Sequence, residues 1–183
     1  MGFVSYGMLV SIDGFVAAAD GDLSGFPAPG PELHRVFNDG QRAAALSVYG
    51  TRMWRMMAYW GRPDPEWDEV SEDFGQAWVE TPKVVFSSTV TEVPAGVTLI
   101  ASDAVDAFRR IKAETDGTIE VSGPALAASL GAAGLIDEYR LHVQPFVQGG
   151  GTPYFAAGFR PELRFLGSEP LPEGAVLTRY APR

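Results

Sequence analysis

The chain has 183 residues, a length that suits one domain with a single core built around a sheet. Its formal net charge of −9 argues against nucleic acid or an anionic membrane as a partner, because either would require a basic patch. Cysteine is absent, which excludes disulfides, thiolate metal sites and a cysteine nucleophile, and with only two histidines, far apart in sequence, we expect no metal site.

The N-terminal segment lacks the basic start and long apolar run of a secretion signal. No later stretch reaches the roughly eighteen uninterrupted apolar residues of a membrane-spanning helix. We therefore expect a cytoplasmic protein.

The first strand is predicted from Phe3 to Val10, where apolar and small residues predominate. Asp13, just beyond it, has two interpretations: it belongs to a turn with Gly14 at positive φ, or its carboxylate meets a substrate group and helps to position a proton donor. The following segment, Ala17 to Pro31, is rich in Gly, Pro, Asp and Ala and predicts a mobile loop in which Phe26 is placed to cover a ligand.

A helix is predicted from Glu32 to Leu46, weakened by Asn38-Asp39-Gly40, and Val48-Tyr49 predicts a short strand. Gly50-Thr51 then opens a second helix. Arg52 at its start either grips an anion with Thr51 or is an ordinary solvated side chain.

A break follows at Tyr59 to Pro63, and the next apolar residues are spaced for one face of a helix that packs on the core: Trp67, Val70, Phe74, Ala77 and Trp78. Trp60 lies in the break and not on this face. It either lines a planar substrate or caps the core.

The strand predicted at Lys83 to Phe86 ends in Ser87-Ser88-Thr89, hydroxyl residues that either donate to phosphate oxygens or form a turn. Val97 to Ile100 predicts another strand, and Ala104 to Ala113 a helix.

The stretch Thr118 to Val143 predicts a strand, a turn at Ser122-Gly123-Pro124, a short helix that Gly134 stops, and a second strand parallel to the first. Such a turn lies at the carboxyl edge of the sheet, where ligands bind. The turn is either a plain connection or a phosphate site at a helix N-terminus, from which Pro124 removes one donor.

A triple glycine, Gly149 to Gly151, permits close approach of backbone to a ligand or a strand. Leu163 to Ser168 and Ala175 to Tyr180 then predict an antiparallel hairpin. The predicted fold class is α/β: a single-domain, three-layer α/β/α arrangement with a mostly parallel central sheet and a C-terminal antiparallel hairpin.

Six blocks in this order resemble the dihydrofolate reductase-like proteins that include the C-terminal reductase domain of the bacterial riboflavin-biosynthesis deaminase-reductase. The blocks are SIDG at Ser11, YGTRMW at Tyr49, KVVFSSTV at Lys83, VSGPALAASL at Val121, GLIDEYRLHVQP at Gly134 and GGGTPYF at Gly149.

The resemblance implies NADPH as the cofactor, lying across the carboxyl edge of the sheet. Ser122 and Gly123 with the helix start, Pro124 and Ala125, would hold the pyrophosphate, and Gly50, Thr51 and Arg52 would add a second helix terminus. Ser87 and Ser88 would meet the 2′-phosphate with Arg52 as its countercharge, and Met8 would lie against the nicotinamide.

Three departures from the family pattern bear on cofactor choice. The family's turn is usually Gly-Gly with an unusual cis peptide, whereas this chain has Ser122-Gly123; Met53 stands where a threonine is common, and Ser88 where a basic residue is common. These changes predict either a lower NADPH affinity than is usual in the family or acceptance of NADH as well, with NADPH as the favoured cofactor.

The implied reaction is hydride transfer to a C=N or C=O bond of a small heterocyclic or sugar-like substrate. Asp13 is the predicted catalytic residue, with Glu32 and His34 as second choices, and Phe26, His34 and Trp60 are predicted to contact the substrate. The alternatives are a non-catalytic binding module of the same fold and a nucleotide-independent interaction protein. The resemblance also implies a homodimer, with apolar residues of the C-terminal strands as contacts.

Overall fold

A computed structural model of the chain describes residues 1–23 and 25–183. The helices are α1 (Pro31–Ala43), α2 (Thr51–Met57), α3 (Glu69–Glu80), α4 (Ala104–Glu114) and α5 (Pro124–Ala132). The strands are β1 (Phe3–Ser11), β2 (Phe15–Ala17), β3 (Ala44–Gly50), β4 (Lys83–Phe86), β5 (Val97–Ile100), β6 (Thr118–Ser122), β7 (Glu138–Gln144), β8 (Thr152–Pro153), β9 (Leu163–Pro170) and β10 (Val176–Pro182).

Eight strands form the main sheet in the order β5-β4-β3-β6-β1-β7-β10-β9, and β2 pairs separately with β8. The strands from β5 to β7 in this order are parallel, whereas β10 is antiparallel to both β7 and β9. The predicted βαβ unit is confirmed, with β1 inserted between its two strands. Because the parallel strands share one direction, their carboxyl ends meet at a single edge of the sheet.

Each face of this sheet is covered by helices. Phe108 of α4 and Leu126 and Leu130 of α5 pack in one core cluster. A second cluster contains Trp54 of α2 and Phe74 of α3. Alternate residues of the strands belong to the two clusters, because successive side chains of a strand point to opposite faces of the sheet. The predicted three-layer α/β/α arrangement with a mostly parallel sheet is confirmed.

The predicted helix from Glu32 to Leu46 is wrong at its C-terminal end. Helix α1 ends at Ala43, and β3 begins at Ala44, which pairs with Thr118 of β6. The pairing of β3 with β6 shifts by one residue between Ala44 and Leu46, and Leu46 is buried in the cluster that contains residues of α4 and α5.

Helix α1 continues through Asn38-Asp39-Gly40 because Asn38 is fixed by tertiary contacts. Its buried amide donates to the Val70 carbonyl (3.0 Å) and to the Asp73 carboxylate (2.7 Å). These bonds join α1 to α3 and offset the weak helix propensity of this segment.

The apolar stripe assigned to α3 includes one residue that lies outside it. Asp68 caps the helix by accepting the Ser71 N–H at 2.8 Å, so Trp67 precedes the first turn. The Trp67 ring instead folds back against Gly75, where an added Cβ would lie 2.6 Å from its Cζ3 atom. Across residues 1–23 and 25–183, no helix combines the length and apolar character needed to cross a membrane.

Candidate functional site

A cavity of about 520 Å³ lies between the sheet and the layer formed by α1, α2 and the loop before α1. We call it the central cavity. Its walls are mainly apolar, with Phe37 of α1, Met53 and Met57 of α2, and Phe74 of α3 among them. This size and lining are those of a small-molecule site.

Three of the predicted site residues line the central cavity: Met8, Phe26 and Ser122. Phe26 is held by an edge-on contact with Phe146, with 4.6 Å between ring centroids. Ser24 in the same predicted loop lies outside the described residues. The cavity therefore brings together one predicted nicotinamide contact, one predicted substrate contact and the start of the predicted phosphate turn.

The bend after β6 is partly covered. Gly123 is buried at φ 110°, and an added Cβ would lie 3.1 Å from Cγ of Met53. Its carbonyl accepts the Ala127 N–H at 3.0 Å and so starts α5, whereas Ala125 is exposed. The Ser122–Gly123 peptide bond is trans, as are the other peptide bonds of the described residues.

The predicted residues at the ends of β3 and β4 form a second group at the same edge. Thr51 Oγ1 donates to Ser87 Oγ at 2.7 Å, and that oxygen also accepts the N–H groups of Thr89 and Val90. Ser87 is buried and Ser88 is exposed. The two predicted phosphate-binding segments are thus in direct contact, although neither lines the central cavity.

Arg52 projects from the first turn of α2 with an exposed side chain. Its guanidinium lies beside Gly21, where an added Cβ would be 3.3 Å from Nε and from one terminal nitrogen. At Gly50, just before α2, a Cβ would lie 3.6 Å from Cβ of Leu126. The starts of α2 and α5 are therefore adjacent.

Asp13 lies outside the central cavity, at the exposed end of β1. Its carboxylate accepts the N–H groups of Gln148 at 3.0 Å and Gly149 at 2.8 Å. Hydrogen bonds from the Ser11 hydroxyl and the Gln148 amide lower the pKa of Asp13. The ionised carboxylate fixes the segment from Gln148 to Gly151, which we call the glycine loop, beside β1. The predicted catalytic role of Asp13 stays a prediction.

His34 and Trp60 lie in an aromatic cluster behind the cavity wall. Their ring centroids are 5.8 Å apart, and Trp60 meets Phe74 edge-on at 4.7 Å. His34 Nδ1 lies 3.0 Å from Asn38 Oδ1, and burial lowers the pKa of His34. Phe74 is the member of this cluster that lines the cavity. His34 and Trp60 contact its ring and do not line the cavity themselves. Glu32, the other second choice, is exposed on α1.

The charged groups of the cavity were missed by the sequence analysis. Glu120 of β6 and Arg140 of β7 both line it, and Arg140 Nη1 donates to Glu120 Oε1 at 3.0 Å. Arg140 Nε donates to Glu138 Oε1 at 2.6 Å, so one guanidinium is held between two carboxylates. Burial raises the pKa of Glu120, opposed by the charge of Arg140.

His142 also lines the cavity, and its ring meets Phe37 edge-on at 5.3 Å between centroids. Burial lowers the pKa of His142 to about 4. The imidazole is therefore neutral at pH 7, which leaves Glu120 and Arg140 as the charged lining groups among the described residues.

A signal for these groups is present in the sequence. Glu138, Arg140 and His142 alternate with Tyr139, Leu141 and Val143 in a strand predicted to be covered on both faces. Parallel strands covered on both faces are usually apolar throughout, because polar side chains there lose their water. Charges at alternate positions of such a strand indicate a polar cavity on one face.

A family model described as the RibD C-terminal domain matches residues 2–177. The chain is 24% identical over 177 residues to the uncharacterized protein YyaP of Bacillus subtilis (strain 168). The aligned region covers 94% of this chain and 91% of that protein.

Solved structures share the fold at low identity. A putative riboflavin biosynthesis protein from Shewanella sp. PV-4 superposes with a TM-score of 0.73 at 22% identity, covering 100% of this chain and 99% of that one. Dihydrofolate reductase from Enterococcus faecalis, complexed with NADP(H) and RAB-propyl, gives a TM-score of 0.68 at 15% identity, with 100% and 97% covered.

A third structure is the diaminohydroxyphosphoribosylaminopyrimidine deaminase/5-amino-6-(5-phosphoribosylamino)uracil reductase of Thermotoga maritima. Its TM-score is 0.66 at 14% identity, with 100% of this chain and 57% of that one covered. The fold is therefore dihydrofolate reductase-like, and the match over residues 2–177 shows that the chain belongs to the RibD C-terminal domain family.

Proposed function

We propose that this chain is an NADPH-dependent reductase that transfers a hydride to a C=N or C=O bond of a small heterocyclic or sugar-like substrate, with NADH as a second accepted cofactor. The observation that supports this most directly is the central cavity, where Met8 of β1 and Ser122 of β6 face one space at the carboxyl edge of the sheet. Ligands of open α/β sheets bind at this edge.

The residues at the edge have the chemistry that a dinucleotide needs. The starts of α2 and α5 lie side by side, and helix starts supply N–H groups and partial positive charge for phosphates. Met53 covers Gly123, so the exposed Ala125 end of α5 is the accessible part of the predicted pyrophosphate site. The exposed Ser88 hydroxyl and Arg52 guanidinium suit a 2′-phosphate.

The roles of the protein groups follow from this arrangement. The bound cofactor supplies the hydride, and the protein must align it with the substrate and exclude water. We assign alignment to Met8 and Ser122 and water exclusion to the apolar walls, including Phe26 and Phe37. Asp13 is proposed to support turnover by fixing the glycine loop at the end of β1, the strand that carries Met8.

Titration with NADPH and NADH, followed by nicotinamide fluorescence, tests the cofactor. We expect both to bind, NADPH more tightly. If neither NADPH nor NADH binds, the proposed function is refuted. Oxidation assays with pteridines, pyrimidine ribosides and small carbonyl compounds then test turnover, and cofactor binding without oxidation of any substrate class would favour a non-catalytic binding module.

We also propose a homodimer formed through the C-terminal hairpin. Phe165 and Leu166 of β9 are 58% and 39% exposed, and β9 is an edge strand of the main sheet. Exposed apolar side chains on an unpaired edge favour association with another chain. A second copy presenting the same surface would cover them symmetrically.

A further inference from the structure

The charged pair in the central cavity occupies an unusual place. Glu120 and Arg140 lie on strands near the middle of the sheet, each beside β1. Their side chains are only 26% and 29% exposed. A charge pair in such a place costs desolvation free energy, and it contributes little to stability compared with apolar packing. Its presence on a cavity wall is better explained by ligand recognition.

The pair is also electrostatically unbalanced. Arg140 donates to Glu138 as well as to Glu120, and the Glu138 side chain is only 8% exposed. One positive charge therefore faces two carboxylates, and the neutral His142 ring adds none at pH 7. An anion at this end of the cavity would meet an arginine whose charge is already compensated and would be repelled by Glu120.

Resting on the proposed function, which places the substrate in the central cavity, we propose that the Glu120–Arg140 pair determines substrate specificity. It selects a planar heterocycle that presents amino or amidine-type N–H groups to Glu120, and it rejects one that presents an anionic group there. The apolar walls suit a planar ring, and the Glu120 carboxylate accepts hydrogen bonds from the ring's donors.

This selection differs from what the name of the Thermotoga maritima relative implies for that enzyme, whose substrate carries a phosphoribosyl group. A phosphate dianion requires uncompensated cations or several free N–H donors. The cationic lining residue of the described chain is Arg140, and two of its nitrogens already bond carboxylates. We infer that this end of the cavity does not receive a phosphate.

Gly7 of β1 gives access to the pair. A Cβ added at Gly7 would lie 3.7 Å from His142 Cε1 and 3.8 Å from both Glu120 Oε2 and Arg140 Cβ. These are ordinary van der Waals separations, so alanine fits the folded chain. Its methyl group would nevertheless occupy the space directly in front of the Glu120 carboxylate, so Gly7→Ala is a steric probe of the site that leaves the charges unchanged.

The experiment compares benzamidine and benzoate, planar probes of similar size and opposite charge, by protein-observed NMR without nucleotide. For wild type we expect a benzamidine Kd on the order of 1 mM and benzoate binding at least about tenfold weaker. Glu120→Gln should weaken benzamidine binding about tenfold because it replaces a charged acceptor by a neutral one. The matched control Glu114→Gln, an exposed position on α4, should change neither probe.

Gly7→Ala should also weaken benzamidine binding about tenfold, and it keeps the test valid if Glu120→Gln fails to fold. Benzoate binding as tight as benzamidine, no benzamidine binding by wild type, or benzamidine binding unchanged in both variants would overturn the proposal. Because no nucleotide is present, these outcomes are separate from the cofactor titration, whose failure would remove the reductase assignment and leave the probe result intact.

Discussion

Arg52→Gln tests whether the exposed guanidinium at the start of α2 is the countercharge of a 2′-phosphate. The side chain is exposed and lies against Gly21, so its charge acts through solvent. A unit charge about 5 Å from a dianion in water interacts by about 1.7 kcal/mol. A Debye length of about 8 Å at physiological salt reduces this to about 1 kcal/mol.

The expected result is therefore a roughly fivefold increase in the Kd of NADPH, with the Kd of NADH changed by less than about twofold. Fluorescence titration of both nucleotides measures the two constants. The difference between wild type and Arg52→Gln should shrink to less than about twofold at about 1 M salt, where the Debye length is about 3 Å. Arg55→Gln, an exposed arginine on the same helix, is the matched control and should leave both constants unchanged.

Two outcomes would refute this reasoning. If Arg52→Gln weakens NADH as much as NADPH, the guanidinium does not recognise the group by which the two cofactors differ. If neither constant changes, Arg52 is a solvated side chain with no part in cofactor binding.

Asp13→Asn should lower turnover much more than NADPH affinity, because an NH2 donor replaces one of the two side-chain oxygens that accept the N–H groups of Gln148 and Gly149, and one of these contacts is lost. Equal loss of turnover and affinity would count against this role. His142→Gln should make the free energy of unfolding less sensitive to acid. The pKa of His142 is about 4 in the folded state and about 6.5 in the unfolded state, so the unfolded state binds the proton first. Stability therefore falls as the pH drops from about 6.5 to about 4. Denaturant unfolding at pH 7 and about 4.5 should show that wild type loses about 2 kcal/mol more than the variant, and equal losses would contradict the assignment. Phe165→Arg should shift the chain from dimer to monomer in light scattering coupled to size exclusion, and an unchanged mass would exclude β9 as the contact.

The order and type of most elements could be predicted because each depends on local chemistry. Lys83 to Phe86 and Val97 to Ile100 are strands with the predicted bounds, and the second helix begins at Thr51 after Gly50, as predicted. The boundary between α1 and β3 was misplaced because the apolar residues around Ala44 fit the spacing of a helix as well as that of a strand. The pairing of β3 with β6 distinguishes the two.

The candidate site was predictable only in part. The resemblance to the family assigned Thr51 and Ser87 to one cofactor, and their hydroxyls are 2.7 Å apart because residues that follow neighbouring parallel strands gather at one edge of the sheet. Trp60 and His34 follow no such rule. Trp60 lies in the 3₁₀ turn Ala58–Gly61 and His34 on α1, and both pack against Phe74 of α3, which lines the cavity.

By itself, the sequence determined the α/β class, the turn after β6 and the exclusion of cysteine chemistry, because periodicity, turn residues and composition act within short stretches of chain. Only the tertiary structure decided that Glu120 and Arg140 meet. β1 is inserted between their strands, and Gly7 at this crossing has no side chain to separate them. That meeting depends on contacts between segments far apart in sequence, which no local pattern specifies.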